Sequence, residues 1–355
     1  MKFLHLSDLH IGKTISHYSM IAEQKHIFKQ IIEYIKTESP QAVIIAGDIY
    51  DRAVPSVEAV RLFDDFITNL SYENIAVLLI SGNHDSPERI NYASRLLSDK
   101  HMYFYGAFDG SMHKIILYDE YGEVNFWLLP FIKHSMVYNT IKSSKVDYSA
   151  RNILVSHQFY TKAGINPIKS DSELDAIGGL DAIDAGIIEY FDYAALGHLH
   201  RRQTVGSKHI RYCGSPVKYS FSEVEHKKSI TLIEIGKKGD LSGKNLPLYP
   251  IYDMREITGE FNEIMKNEIS LDYIRVVRTD KEEIIDIMNK LRSVYPNIVD
   301  VEPCKSIDLT TISIGKIEKL SPYDLFAEFF LQVQGFAMSN EQSNIIKSIL
   351  ERTEE

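Results

Sequence analysis

Residues 81–90 read SGNHDSPERI, with three ligand-capable side chains, Asn83, His84 and Asp85, in a row directly after a glycine. IAVLLI (75–80), an apolar run of strand length, precedes them. Ser86 and Pro87, an N-cap followed by a proline at the first helical position, come after them. A buried strand, a polar turn and a helix start in that order belong to an open α/β sheet, where ligands gather at the carboxyl ends of the strands. The same order recurs along the chain. KFLHLS (2–7) runs into SDLH (7–10), AVIIAG (42–47) into GDIYD (47–51), NILV (152–155) into SHQ (156–158), and DYAAL (192–196) into GHLH (197–200). Asp8 and His10 stand two residues apart, as do His198 and His200, so each pair is expected to face one side of an extended segment.

Eight of the 13 histidines lie outside these five segments, and a single histidine is more often structural or exposed than a ligand. Five separate strand ends with mixed Asp, Asn and His chemistry carry more weight. The apolar strands before them leave such side chains partly desolvated, and unpaired buried charge is costly. A bound metal centre relieves that cost.

Between the strands, residues 20–37 carry Ile27, Phe28, Ile31, Ile32 and Ile35, the stripe of an amphipathic helix. Pro55 and Ser56 lead into a second helix bearing Val57, Val60, Phe63, Phe66, Ile67 and Leu70. From residue 113 strands predominate (HKIILYD, VNFWLLP, NILVSH, DYAALG, HIRYCG, SITLIEIG), which predicts a central sheet or two stacked sheets flanked by helices. IEIGKKGDLSGKNLP (233–247) is rich in Gly, Lys and Pro and marks a boundary near 235–250, with a small α+β segment over 250–315. Ser321-Pro322 opens a helix striped by Leu325, Phe326, Phe329, Phe330 and Val333, stopped near Gly335. Ser339 and Gln342 form a capping box for a second helix bearing Ile345, Ile346, Ile349 and Leu350. Such a hairpin is too small to bury its own stripe, so it packs on this chain or docks a partner helix pair.

At 355 residues the chain is long enough for two domains. No apolar run approaches the roughly 18 residues of a membrane span, and MKFLHLSDLH has no signal-peptide core. Cys213 and Cys304 are far apart and form no CxxC pattern, which fits a reducing cytoplasm. Net charge is −10, divided into −7 over residues 241–355 and −3 over residues 1–240. Two divalent cations in the first part would offset the −3, so bulk charge does not exclude a nucleic-acid partner.

The ordered set DxH, GDxxD, GNHD, a lone strand-end His and GHxH, spanning residues 8–200, resembles the calcineurin-like metallophosphoesterase superfamily. Within it, LHLSDLHIGK (4–13), GDIYDRAVPS (47–56), GSPVKYSFSEVEHKKS (214–229) and SPYDLFAEFFLQVQG (321–335) are similar to the SbcD family, nuclease subunits of bacterial SbcCD complexes. The resemblance implies a calcineurin-like metallophosphoesterase fold of two stacked mixed sheets flanked by helices, over 1–240. It also implies a small α+β capping, DNA-binding domain over 250–315 and a partner-binding helical hairpin over 320–355. One metal would be held by Asp8, His10, Asp48 and His200, the second by Asp48, Asn83, His157 and His198, with Asp48 bridging. Mn²⁺ is the expected ion, with Mg²⁺, Fe²⁺ or Zn²⁺ compatible with the ligand types. His84 is left as general acid and Asp85 orients it, a second helix cap beside Ser86 being an equal reading of Asp85.

His17, Arg52, Arg201, Arg202, Ser215, Lys218 and Tyr219 are candidate DNA contacts, against solvated arginines and a plain turn at 214–221. The expected activity is that of a DNA nuclease, a 3′–5′ exonuclease on double-stranded ends and an endonuclease on single strands and hairpins, in repair and recombination. Its expected partners are DNA, an SbcC-type ABC ATPase with a coiled coil, and a second copy of the chain. That copy would pair through helices near 56–70 and 87–97 by Val57, Val60, Ile67, Ile90, Ala93 and Leu97. A small-molecule phosphodiesterase or phosphoprotein phosphatase with the same dinuclear site, and a non-catalytic scaffold, are the alternatives. The segment 250–355 disfavours the first and the complete ligand set the second.

Overall fold

Strands that are apolar at every position need cover on both faces. The computed structural model describes residues 1–162, 167–173, 182–280, 282, 284–303, 321–334 and 337–353, without the side chains of 332–334 and 351–353. Cys304, Val333 as a side chain and Gly335 therefore lie outside the described residues, as does part of the expected 250–315 segment.

Two six-stranded sheets form the larger unit. The first has the spatial order Leu241–Pro247, Ser229–Ile235, Lys2–Leu6, Ala42–Ala46, Ala76–Ile80, Met102–Tyr105, its last four strands parallel. The second has the order Gln203–Val205, Ser207–Tyr212, Tyr193–Leu196, Arg151–Ser156, Gly122–Leu129, His113–Asp119, with its four central strands parallel. The sheets share a core. Phe3, Ile44, Leu78 and Ile80 of the first pack with Phe126, Leu128, Ile153 and Tyr193 of the second. The alternate residues of the first sheet, Leu4, Val43, Ile45, Val77 and Leu79, meet α1 (Ile21–Glu38) and α2 (Val57–Tyr72) through Ile27, Phe28, Ile31, Leu62 and Phe66. On the second sheet, Leu129, Leu154 and Leu196 cluster with Val137 and Ile141 of α3 (His134–Ser143). Period-two alternation thus divides each buried strand between two cores.

The expected stripe of α2 is only half buried. Ala59, Leu62, Phe66 and Leu70 face inward, whereas Val57 and Val60 are 67% and 45% exposed. Leu241–Pro247 pairs with Ser229–Ile235, so the first unit runs past the boundary read near 235–250, continuing to Glu256. Pro87–Ile90 is a single helical turn after Ser86, whose side chain makes no cap bond.

Of the second unit, Ile257–Ile269, Arg275–Val294 and Asp300–Glu355, the helices Pro322–Gln334 and Asn340–Thr353 are paired with each other. The capping box forms as read: Ser339 Oγ accepts from Gln342 N at 3.2 Å and Gln342 Oε1 from Ser339 N at 2.9 Å. Leu325, Phe326 and Phe329 are exposed. A three-stranded sheet, Met254–Gly259, Tyr273–Arg278 and Ile298–Pro303, occupies the stretch read as α+β. Among the described residues no helix is long and apolar enough to cross a membrane.

Candidate metal centre

The parallel strands of both sheets end at one edge, and the backbone there is strained. Asp8, His10, Asp48 and His198 all have positive φ, at 53°, 41°, 52° and 99°. Each such non-glycine residue costs on the order of 1–3 kcal/mol and persists only where its surroundings over-determine it. The surroundings do so here. Asp8 N donates to Gly47 O and His10 N to Asp48 O, while Asp8 Oδ1 accepts from His198 N at 2.8 Å and Asp48 Oδ1 from His84 N at 2.9 Å. These left-handed turns, not alternation along an extended segment, bring Asp8 and His10 to one place. Gly82 is required by crowding, since a Cβ there would lie 2.1 Å from Asp48 Oδ1.

All seven expected ligands converge. His10 Nε2 lies 3.0 Å from His200 Nε2 and 3.5 Å from Asp48 Oδ2. His157 Nε2 is 3.2 Å from the same Asp48 oxygen and 3.2 Å from Asn83 Oδ1, which in turn faces His198 Nδ1 at 3.1 Å. His157 Nδ1 donates to Ala46 O at 2.7 Å, leaving Nε2 directed at Asp48 and Asn83. Among the described residues three overlapping triads hold ligand atoms within 4.8 Å: Asp8, His10 and His200; Asp8, Asp48 and His157; and His10, Asp48 and His84. The last adds His84 to the cluster. Its Nδ1 donates to Asp51 O at 2.9 Å, so Nε2 is the nitrogen not tied to the main chain.

These residues fit a dinuclear cation site. Asp8 Oδ2 and His10 Nδ1 are buried with no hydrogen-bond partner, and two imidazole Nε2 atoms face each other at hydrogen-bond distance. Burial holds the His10 ring well below the usual histidine range and pushes His198 down to about 3, so both favour the neutral, coordinating form. For His157 burial is the largest influence and works the same way, but the Asp48 and Asp8 carboxylates and the bond to Ala46 O together outweigh it and raise the ring to about 9. Asp48 is correspondingly held below the usual carboxylate range, burial opposing and His157 prevailing.

Other expectations are corrected. Asp85 does not orient His84: its Oδ2 accepts from Ile49 N (3.0 Å) and Gly82 N (2.9 Å), and its Oδ1 from Tyr50 N (2.9 Å), tying the GDIYD and GNHD loops together. Ser215 is 1% exposed and donates to Val217 O, so it is closed to DNA. Tyr219 is also buried, its hydroxyl donating to Leu9 O and accepting from Gln24 Nε2, its ring edge-on to His10. Lys218 is paired with Asp253 at 2.8 Å. Arg202 donates to Ser229 Oγ, while His17, Arg52 and Arg201 are exposed.

The sequence reading missed Gln24, whose Nε2 donates to His10 O at 2.8 Å, and Glu223, buried against His200. A signal existed for the first: position 24 lies on the apolar stripe of α1, three, four and seven residues before Ile27, Phe28 and Ile31.

A dinuclear metal-dependent phosphodiesterase is the class this fold and site define. The sequence model described as calcineurin-like phosphoesterase matches residues 1–202, and one described as type 5 capsule protein repressor C-terminal domain matches residues 250–334. The chain is 31% identical over 373 residues to the SbcD subunit of nuclease SbcCD from Staphylococcus epidermidis, covering 99% of this chain and 98% of the relative. It is 29% identical over 378 residues, with the same coverage, to the Staphylococcus saprophyticus protein of that name. Among solved structures, a dimetal phosphatase from Danio rerio is similar with a TM-score of 0.43 and 11% identity, over 70% of this chain and 96% of that one. The chain belongs to the calcineurin-like phosphoesterase family and, within it, to the family of SbcD subunits of SbcCD nucleases.

Proposed function

We propose that this protein is a manganese-dependent DNA nuclease, working with an SbcC-type ABC ATPase in the cytoplasm as a repair and recombination enzyme. The reading carries a 3′–5′ exonuclease activity on double-stranded ends and an endonuclease activity on single strands and hairpins. The observation that carries the catalytic part is the convergence of strained Asp8, His10, Asp48 and His198 with His157, His200 and Asn83 at one sheet edge. Similarity over 98% of a nuclease subunit's length, including the matched segment 250–334, supports a nuclease over a compact small-molecule esterase.

In this reading Asp8, His10, Asp48 and His200 hold one cation and Asp48, Asn83, His157 and His198 the other. Bound there, two divalent cations supply charge neutralisation of the phosphoryl oxygens and acidification of water. Asp48 would serve both cations, since a carboxylate has two oxygens with several lone pairs. Asp85 keeps the two loops that carry Asp48 and Asn83 in register. His84, anchored through Nδ1, presents Nε2 as the proton donor to the departing sugar oxygen. His17, Arg52 and Arg201, exposed near or within the motifs, are the DNA contacts that survive. Exposed Leu325, Phe326 and Phe329 give the C-terminal hairpin an apolar face for a coiled coil.

A homodimer would use Val57 and Val60 together with Val54, Tyr92 and Leu96, all exposed, and not Ile90, which is buried. The test offers Mn²⁺ or Mg²⁺, alone and with the ATPase and ATP, on linear duplex, hairpin DNA and bis(4-nitrophenyl) phosphate. Cleavage of DNA with Mn²⁺ is expected. Hydrolysis of the small diester with every DNA left intact would overturn the reading.

A further inference from the structure

The two edges of the His200 ring face different surroundings. Its Nε2 edge faces His10, and its Nδ1 edge faces Ser172 Oγ at 2.7 Å and Glu223 Oε1 at 3.1 Å. Ser172 Oγ is itself 2.7 Å from Glu223 Oε1. A hydroxyl has one proton and an ionised carboxylate only accepts. Ser172 therefore donates to Glu223 and accepts from His200 Nδ1–H. With Nδ1 bare, its lone pair would confront a carboxylate oxygen with no proton between them. This network assigns the proton to Nδ1 and the lone pair to Nε2.

Glu223 is held in turn. Lys228 Nζ donates to Glu223 Oε2 at 2.6 Å, to Ser215 Oγ at 2.7 Å and to the backbone oxygen of His200 at 3.1 Å, so its three protons are all used. Glu223 is 0% and Lys228 8% exposed. Lys228 thus grips the main chain of His200 while fixing the acceptor of its side chain. The pair sits in GSPVKYSFSEVEHKKS, the stretch whose conspicuous polar residues invited a reading as a phosphate contact.

We propose that Glu223 and Lys228 are positioning residues of the metal centre. They set the tautomer of His200 and aim its Nε2 at the cation held with Asp8, His10 and Asp48. The proposal rests on the reading of His200 as a metal ligand. Carboxylates behind ligating histidines are worth roughly 10–100-fold in metal affinity.

The test uses full-length protein and three measurements: Mn²⁺ titration calorimetry, the ring ¹⁵N shifts of His200 in metal-free protein, and thermal melting. Glu223→Leu/Lys228→Met removes both charges together, because a lone buried charge would unfold the site for an unrelated reason. It is expected to melt near wild type, to weaken one of two Mn²⁺ sites by about 10–100-fold, and to lose the single Nδ1–H signature. Glu223→Gln/Lys228→Met, whose amide oxygen still accepts from Nδ1–H, is expected to recover much of that affinity. Ser172→Ala leaves the ion pair intact and is expected to shift the same ¹⁵N signals. Two Mn²⁺ sites of wild-type affinity in a well-folded Glu223→Leu/Lys228→Met protein would overturn the proposal. His200→Ala separates the two levels: if it alone keeps both sites, the ligand reading fails, and if it loses one while the double variant does not, only the positioning role fails.

Discussion

Gly82→Ala is the smallest change that should disable the centre without removing any ligand. A Cβ at residue 82 would stand 2.1 Å from Asp48 Oδ1, 2.4 Å from Asp48 N and 2.7 Å from Asp48 Cγ. Real Cβ contacts are essentially never shorter than 3.0 Å, so the loops must part by about 1 Å. The displaced group is not the end of a flexible chain. It is the backbone and carboxylate of a residue already at φ 52°, pinned by His84 N on one oxygen and facing His157 across the other. Overpacking of this kind costs about 1–3 kcal/mol in stability. A misplacement near 1 Å costs about 10²-fold in rate. The expected protein is folded, melts somewhat lower, and hydrolyses bis(4-nitrophenyl) phosphate about 10²-fold more slowly at saturating Mn²⁺. Gly186→Ala serves as control, its Cβ meeting only Asp184 at an ordinary 3.4 Å. If Gly82→Ala kept two Mn²⁺ ions and worked within a few-fold of wild type, Asp48 would not be held as tightly as the geometry requires.

His84→Gln should keep metal content near wild type while DNA cleavage falls about 10²–10⁴-fold; loss of one metal by elemental analysis would instead make His84 a ligand, as its place beside His10 and Asp48 allows. Asp48→Ala should lower occupancy at both positions and abolish turnover on every substrate, and two metals retained would refute the bridge. Arg151→Met removes the bidentate partner of half-buried Asp119 (2.6 and 2.9 Å), which keeps the N-terminal amine, and should cost about 1–3 kcal/mol at pH 7 by denaturant titration. Arg151 and then the N-terminal amine hold the Asp119 carboxyl well below the usual carboxylate range, against burial. The stability this contributes is present above about pH 4 and is lost as the pH falls through the depressed folded value, so the gap between wild type and variant should narrow in acid. Phe326→Glu/Phe329→Glu places charge on the exposed face of the C-terminal hairpin and should abolish co-purification with an SbcC-type ATPase while leaving small-diester hydrolysis unchanged; unimpaired co-purification would move the partner site elsewhere.

The strands and the Asp, Asn and His residues that converge at their ends were legible because both follow local rules. A strand buried on two faces must be apolar throughout, so Ala42–Ala46 and Ala76–Ile80 announce themselves within a residue of their ends. Ligand chemistry stands at strand ends, so the five motifs could be read in order. The failures share one cause, that a residue type does not reveal which way its polar atoms are consumed. Tyr219, Ser215 and Lys218 look like phosphate contacts in sequence, yet two are buried and the third is ion-paired, their polar atoms satisfying other groups of the chain. Asp85 lies beside His84 in sequence and serves the loop of residues 49–50 instead. Val57 and Val60 carry the right period for a core stripe but lie on the solvent side of α2, Ala59 and Leu62 taking its buried side. Glu223 was invisible because its partners, Ser172 and His200, are brought to it only by the fold.

The division of the proposed ligands between the sheets bears on how the centre would work. Asp8, His10, Asp48 and Asn83 follow strands of the first sheet, whereas His157, His198 and His200 follow strands of the second. In the proposed assignment each cation draws ligands from both, so neither sheet alone holds a metal. The protein bridges the same gap with its own hydrogen bonds, Ala46 O receiving His157 Nδ1–H at 2.7 Å and Asp8 Oδ1 receiving His198 N–H at 2.8 Å. Gly197 lets the ends approach this closely, since a Cβ there would stand 2.0 Å from Ala46 O. Cations held at this seam would bind the folded arrangement and not the unfolded chain, which makes their affinity a contribution to stability as well as to catalysis. The strained φ angles of Asp8, His10, Asp48 and His198 are the other side of that coupling. A local conformation that costs free energy in the isolated chain persists where two sheets, and the charge they enclose, fix it from several directions at once.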